Sequence, residues 1–298
     1  MPQFKDLVAR TRATLFGYLS KQQQWTYLTQ NIGTTDLTFT VSDATQISRG
    51  LIEVGGSELM LVQSVNRNNN TITLDQNGRG FAGTTPASFG SNTLIENNPI
   101  FPTIRIKDAI NDTIRSLYPE LFAISTTKFN KISVQYNYAM PSDAEDVLQV
   151  KYQIIGPSKI YPWDHKWEFD NNADPTDFPT GKSIYVLEEV TPGREIFVVY
   201  TKEPTPLVND TDDYVTTTGL LASSQDVVYY GALMKMVPAL ANPRLILDTV
   251  EASERAAFIQ PNQVTAIYQA WAQLYNDRLE KEKRKLNTLY PRDINYAD

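Results

Sequence analysis

The sequence predicts an α+β fold: a four-helix core into which two small antiparallel β domains are inserted. Three observations lead there. Apolar residues recur at three-and-four spacing near the start, middle and end of the chain, which is the spacing of one helix face. Between those blocks the period falls to two, and Gly, Pro and Asn turn signals punctuate it, as in short strands. Without β inserts, roughly 80 structureless residues would separate the first two helices, which a compact domain does not tolerate. On this reading residues 1–27, 101–128 and 214–290 form the helical core. Residues 28–100 form a small barrel, 129–213 a sandwich, and 291–298 a tail.

The elements follow in order. From Pro2 to Ser20, Phe4, Leu7, Val8, Thr11, Leu15 and Leu19 mark one helix face, and Pro2 suits a first helical turn. Leu37, Phe39 and Val41 then alternate with Thr and Ser, and Ile52 and Val54 flank Glu53. Gly55-Gly56 signals a hairpin into Leu59 and Leu61, and Asn68-Asn69-Asn70 a second turn into Thr71–Leu74, because Gly and Asn tolerate positive φ. Ile106, Ile110, Ile114, Leu117 and Leu121 form the next helical stripe, which Pro119 kinks or ends. Ile132, Val134 and Tyr136 alternate, and 147–152, 184–187 and 196–200 are further strand-like runs. After an acidic linker, Pro204–Asp213, helices return at 221–237, ended by Pro238, at 243–258 and at 261–289.

Composition excludes much chemistry. The chain has 298 residues, 41% of them hydrophobic, enough to bury a sizeable core. There is no cysteine, hence no disulfide, thiolate nucleophile or thiolate metal site. No run of 18 apolar residues exists, so no membrane span is expected. Met1–Asp6 lacks the regions of a signal peptide, so the protein reads as made and used without export. The net charge of −7 makes a poor grip for DNA, whose phosphates need Lys and Arg.

The expected role is therefore not enzymatic, with no catalytic, cofactor or metal residues. The single histidine, His165, lies between Trp163 and Trp167 and reads as a packing or surface residue. Asp210, Asp212 and Asp213 lack the Gly and distal Glu of a calcium loop and read as a solvated linker. Gly78-Arg79-Gly80-Phe81-Ala82-Gly83 superficially matches GxGxxG, but no helical pattern follows it, so it reads as a turn-rich loop. Tyr161, Trp163, Trp167 and Phe169 could stack on a sugar ring; the competing reading gives Trp163 and Trp167 to inter-subunit or surface aromatic contacts. From Asp277 to Asp298 six basic and five acidic residues are mixed, a near-neutral segment on an acidic chain.

Arg79-Gly80-Phe81-Ala82-Gly83-Thr84-Thr85-Pro86-Ala87 resembles a loop of the head–tail connector (adaptor, or neck) proteins of tailed double-stranded DNA bacteriophages. Ile52–Val62 resembles the strand pair that precedes that loop. Asn98–Phe101, Ile106–Ile114 and Leu117–Phe122 resemble the helix that follows it, and Tyr138–Asp143 and Tyr230-Gly231-Ala232 resemble later segments. The resemblance implies an adaptor-like helical core and a virion structural protein assembled in the host cytoplasm. It implies a homo-oligomeric ring, usually of twelve copies, under the portal at the head–tail junction. A downstream neck or tail protein would dock on the opposite face, and double-stranded DNA would pass through without specific binding, with no cofactor and no membrane. It also implies that the C-terminal segment docks to the portal; Arg284, Lys285, Leu289, Tyr290, Arg292, Ile294 and Tyr296 are the candidate residues. The alternative is a carbohydrate-binding host-attachment protein or another tail or baseplate component.

Overall fold

The computed structural model describes residues 3–17, 24–154, 160–187, 190–247 and 261–292, with backbone alone at 238–247 and 261–264. The predicted four-helix core with small β insertions is not what the chain forms. Among the described residues the fold is mostly β-sheet, with thirteen strands and only four substantial helices. The chain divides into two compact units. One comprises Lys5–Asp112 and Tyr229–Ala272; the other comprises Met1–Phe4, Thr113–Val228 and Gln273–Asp298.

The first unit holds a six-stranded antiparallel half-barrel. Its strands are β1 (Trp25–Tyr27), β2 (Thr38–Thr40), β3 (Gly50–Val54), β4 (Glu58–Asn66), β5 (Thr71–Leu74) and β6 (Leu94–Asn97), in the order β1-β6-β3-β4-β5-β2. A bridge between Leu28 and Val41 brings the two outer strands together at one end, where Thr29 N–H donates to Thr40 O and Ser42 N–H to Tyr27 O. Phe39, Ile52, Val54, Met60, Val62, Ile72, Leu74 and Ile95 point inward and form one core with Leu28 and Val41. The β3–β4 hairpin turns on Gly55 and Gly56, both at positive φ, and a Cβ on Gly55 would stand 2.8 Å from the Phe89 ring. No other residue type fits there without displacing that ring.

Helices α1 (Phe4–Phe16) and α2 (Thr103–Ser116) attach to this sheet through a charged cluster. Leu7, Val8, Thr11 and Leu15 are buried on one side of α1, and Ile106, Ile110 and Ile114 on one side of α2. Glu53 on β3 accepts the Thr103 backbone N–H (2.7 Å), capping the start of α2 from another element. Arg12 reaches Glu53 (3.6 Å), pairs closely with Glu96 on β6, and donates to Thr103 Oγ1 (3.4 Å). The helices are thus dressed onto a β core, which is why period-3.6 stripes misled the assignment of the main core: a one-sided stripe says a helix is covered, not by what.

The second unit contains β7 (Ala123–Asn130), β8 (Asn137–Ala139), β9 (Asp146–Tyr152), β10 (Trp163–Asp164), β11 (Trp167–Asp170), β12 (Ser183–Val186) and β13 (Glu195–Lys202). They form a four-stranded sheet, β10-β9-β13-β7, and a three-stranded sheet, β11-β12-β8. Val147, Val150, Ile196, Val198 and Tyr200 from the first share a core with Tyr138, Trp167, Ile184 and Val186 from the second. Ile132 and Val134, predicted as strand, lie outside every strand and are 52% and 85% exposed. β7 ends where Lys131 N–H donates to Arg194 O, and Gln135 N–H then bonds back to Ile132 O. The alternation there belongs to a turn, not a pleat.

α3 (Tyr214–Thr218) is a single turn capped by Asp213, whose carboxylate accepts from Val215 and Thr216 N–H, and closed by Gly219 at φ +73. α4 spans Gln225–Leu247 and α5 Pro261–Leu289. The sequence predicts a stop at Pro238 and a new helix from Pro243, yet α4 runs through both. A proline removes one backbone donor and crowds the carbonyl four residues back, but the Ala, Leu and Met residues around these two sustain the helix.

Candidate interaction surfaces

The four-stranded sheet has an inner face in the core and an open outer face. Strand register puts Trp163 opposite Lys151, Lys151 opposite Phe197, and Phe197 opposite Lys128. Directly paired residues share a face, so one row across all four strands reads ring, cation, ring, cation. Lys151 Nζ lies 5.6 Å from the centre of the Trp163 ring. Lys128 Nζ lies 5.5 Å from Phe197 and 5.7 Å from Tyr161, whose ring is 6.1 Å from that of Phe197. Glu195 ties the group together: it accepts the Tyr161 hydroxyl (2.8 Å) and pairs with Lys128 (3.3 Å). That bond to a carboxylate pushes the Tyr161 phenol above its ordinary pKa. Two residues along β9, Gln149 is buried and donates to Pro291 O (3.1 Å), so the face is covered at that end and open at the row.

The structure splits the aromatic cluster seen in the sequence. Trp163 is 40% exposed on the open face, whereas Trp167 is buried in the core and Phe169 packs against it. The two tryptophans therefore do not form one stacking platform. Exposed His165 stands with its ring 6.5 Å from that of Trp163. Lys128, Lys151 and Phe197 escaped the sequence reading because the run Ile196–Tyr200 is apolar throughout and does not reveal which members point outward.

The loop after β5 is a clasp. Glu58 is fully buried and binds Arg79 through two bonds, Nε to Oε1 (2.8 Å) and Nη2 to Oε2 (3.0 Å). The other Arg79 donors reach the carbonyls of Gly33, Asp36 and Ala87, and Glu58 also accepts from Gly80 and Ala87 N–H. All five guanidinium donors are used. Thr84 Oγ1 accepts from Leu59 N–H. Gly80 sits at φ +62, and a Cβ there would meet Pro86 and Thr84 O at 2.8 Å. Arg, Gly and Thr each have a mechanical reason to be where the loop has them.

The predicted docking residues are distributed as follows. Arg284 and Lys285 are exposed, and Lys285 donates to Ser223 Oγ (2.6 Å). Leu289 is exposed and Tyr290 half-buried. Arg292 pairs with Asp146 on β9. Ile294 and Tyr296 lie outside the described residues. The acidic segment before α3 is a closed turn: Asp212 accepts from Val208 and Asn209 N–H (2.8 Å each), which holds its carboxyl below the usual range. Leu121, Phe122, Leu220, Leu221, Ser224, Glu282 and Leu286 line a half-open hollow of about 10 Å³, room for about one water. Among the described residues no group of three or more His, Cys, Asp or Glu could hold a metal ion, and no helix is long and apolar enough to cross a membrane. The chain matches no protein-family model and no curated protein.

Proposed function

We propose that this chain is a virion structural protein: a head-to-tail adaptor that forms a ring under the portal and joins the capsid vertex to the neck or tail, leaving a channel for DNA. The observation that carries the reading is α5. Of its residues from Thr265 onward only Trp271, Glu282 and Leu286 are buried. Tyr268 (44%), Leu274 (42%) and Leu289 (53%) are exposed. At 100° per residue these three fall within the same sector of the helix as Trp271 and Leu286. The apolar stripe therefore continues past what the described residues cover, as on a helix that buries the remainder against a partner. The resemblance of the Arg79–Ala87 loop to connector proteins supplies the kind of partner. A net charge of −7 per copy repels DNA at short range, within a screening length of about 8 Å at physiological salt, which suits a channel that DNA slides through. A sugar-stacking role has less support, since Trp167 and Phe169 face the core.

Negative-stain imaging of the full chain, alone and mixed with a portal protein, tests the proposal. Rings stacked coaxially on the portal are the expected result. Truncation after Leu289 should abolish stacking while the circular-dichroism spectrum stays unchanged. A wild-type chain that neither forms rings nor binds portal would overturn the reading.

A further inference from the structure

We infer that the open aromatic–lysine face of the four-stranded sheet receives the acidic turn Val208–Asp212 of a neighbouring copy, and that this is a ring contact; the inference rests on the ring reading above. Two patches with different chemistry are needed on one protomer for a heterologous contact that closes by rotation, and the second unit carries both.

The face selects its occupant by charge and shape. Its row places the Trp163 and Phe197 rings two strands apart, about 10 Å at the usual strand spacing, with an ammonium beside each. Against Lys128 and Lys151 stands Glu195, already paired with Lys128, so the row carries one net positive charge. A nucleic-acid strand crossing it would bring several phosphates against that single charge on an acidic chain, a poor exchange when affinity comes from phosphate neutralisation. A short segment with one or two carboxylates beside an apolar side chain matches it better: carboxylate to Lys151 and Lys128, apolar group to the rings.

The turn offers that combination already shaped. Val208 is 75% exposed, and Asn209, Asp210 and Thr211 are exposed beside it. Both oxygens of the Asp212 carboxylate are bonded within the turn, to Val208 N–H, Asn209 N–H and Asn209 Nδ2. Asp212 N–H closes it on Asn209 O (3.0 Å), and Phe4 N–H donates to Asp212 O (2.9 Å). A segment fixed in this way loses little conformational freedom on docking. Val208 and Asp210 are then the contact residues, and Asp212 is the brace that presents them.

The test is a charge swap in the full chain, read by analytical ultracentrifugation over a concentration series. Lys151→Glu should weaken self-association at least roughly tenfold, and Asp210→Lys alone should weaken it too. The two substitutions combined should restore it, because the Lys151–Asp210 pair is re-formed with signs exchanged while the Lys128–Glu195 pair stays intact. Trp163→Ala, which alters no charge, should also weaken association, and thermal melts verify that each variant folds. Association of the wild-type chain that ignores all of these substitutions overturns the inference and leaves the ring reading standing. Folded reversal variants that lose association and do not recover it in the combined variant show that Asp210 is not the partner of this face. A wild-type chain that stays monomeric with and without portal removes the ring reading, and this contact with it.

Discussion

Replacing Arg79 by Met tests whether the Arg79–Glu58 clasp holds the half-barrel loop. The substitution preserves much of the side-chain volume and removes five donors at once. Glu58, with no exposed surface, would keep only the Gly80 and Ala87 N–H bonds. The carbonyls of Gly33, Asp36 and Ala87 would lose their donor. Breaking a buried ion pair from one side costs about 3–5 kcal/mol, because the remaining charge is uncompensated. Glu58→Gln removes the charge from the other side and leaves a buried guanidinium short of its acceptor, with a cost of the same order. The double variant lacks both charges, so its cost should fall below the sum of the singles by about 2 kcal/mol or more. Urea unfolding of the four proteins gives the cycle, and amide hydrogen exchange across residues 78–87 locates the effect. Single costs under about 1 kcal/mol, or additivity within about 0.5 kcal/mol, would refute the clasp as a coupled unit.

Two further perturbations test the electrostatics and the core. Burial holds the Glu53 carboxyl above its ordinary value, with Arg12 and the Thr103 N–H opposing and Glu96 reinforcing the shift. With the folded value above the unfolded one, stability rises as pH falls from the folded value toward the unfolded one and is lost again on the way back up. Glu53→Gln keeps an oxygen for Thr103 N–H and should abolish that gain, so wild type should stabilise relative to the variant on acidification; parallel stability–pH curves would count against it. The two tryptophans should behave oppositely. Trp167→Ala empties a core position and should cost about 3–5 kcal/mol. Trp163→Ala on the open face should cost under about 1 kcal/mol, and thermal melts that rank them the other way contradict the assignment of faces.

Local signals in the sequence locate elements but not their hierarchy. Gly55-Gly56 and the Asn68–Asn70 run mark turns because backbone sterics act within two or three residues. The stripe Ile106, Ile110, Ile114 marks α2 for the same reason. What could not be read locally was which layer holds the core. Glu53 and Glu96 look like surface charges on strands, yet with Arg12 they fasten α1 and α2 to the half-barrel, and that cluster joins residues 84 positions apart. Pro238 misleads because its local cost is real but is outweighed by the helix around it. The clasp shows the same limit from the other side. Its loop is visible as a motif, but nothing near Glu58 in the sequence marks that residue as fully buried. The outer row of the four-stranded sheet depends on register among strands far apart in the chain, and register is a property of pairing rather than of any one segment.

The charge of the chain constrains how copies can meet. A ring multiplies −7 by the number of protomers, so neighbours repel before they touch, and this repulsion is screened over about 8 Å at physiological salt. Diffuse surface contact would not overcome it; a contact must put positive charge where the neighbour is negative and exclude water there. Several cations among the described residues are already committed within the chain. Arg79 and Arg12 are drawn into the half-barrel, Lys182 is bound to Ala144 O and Glu145, and Lys283 pairs with Glu120. Lys151 is different in kind, since the neighbour that the structure gives its ammonium is an aromatic ring. A cation set over a ring keeps most of its field available to an incoming carboxylate. Under the proposed ring contact, the attractive end lies at the outer face of β9, near Trp163.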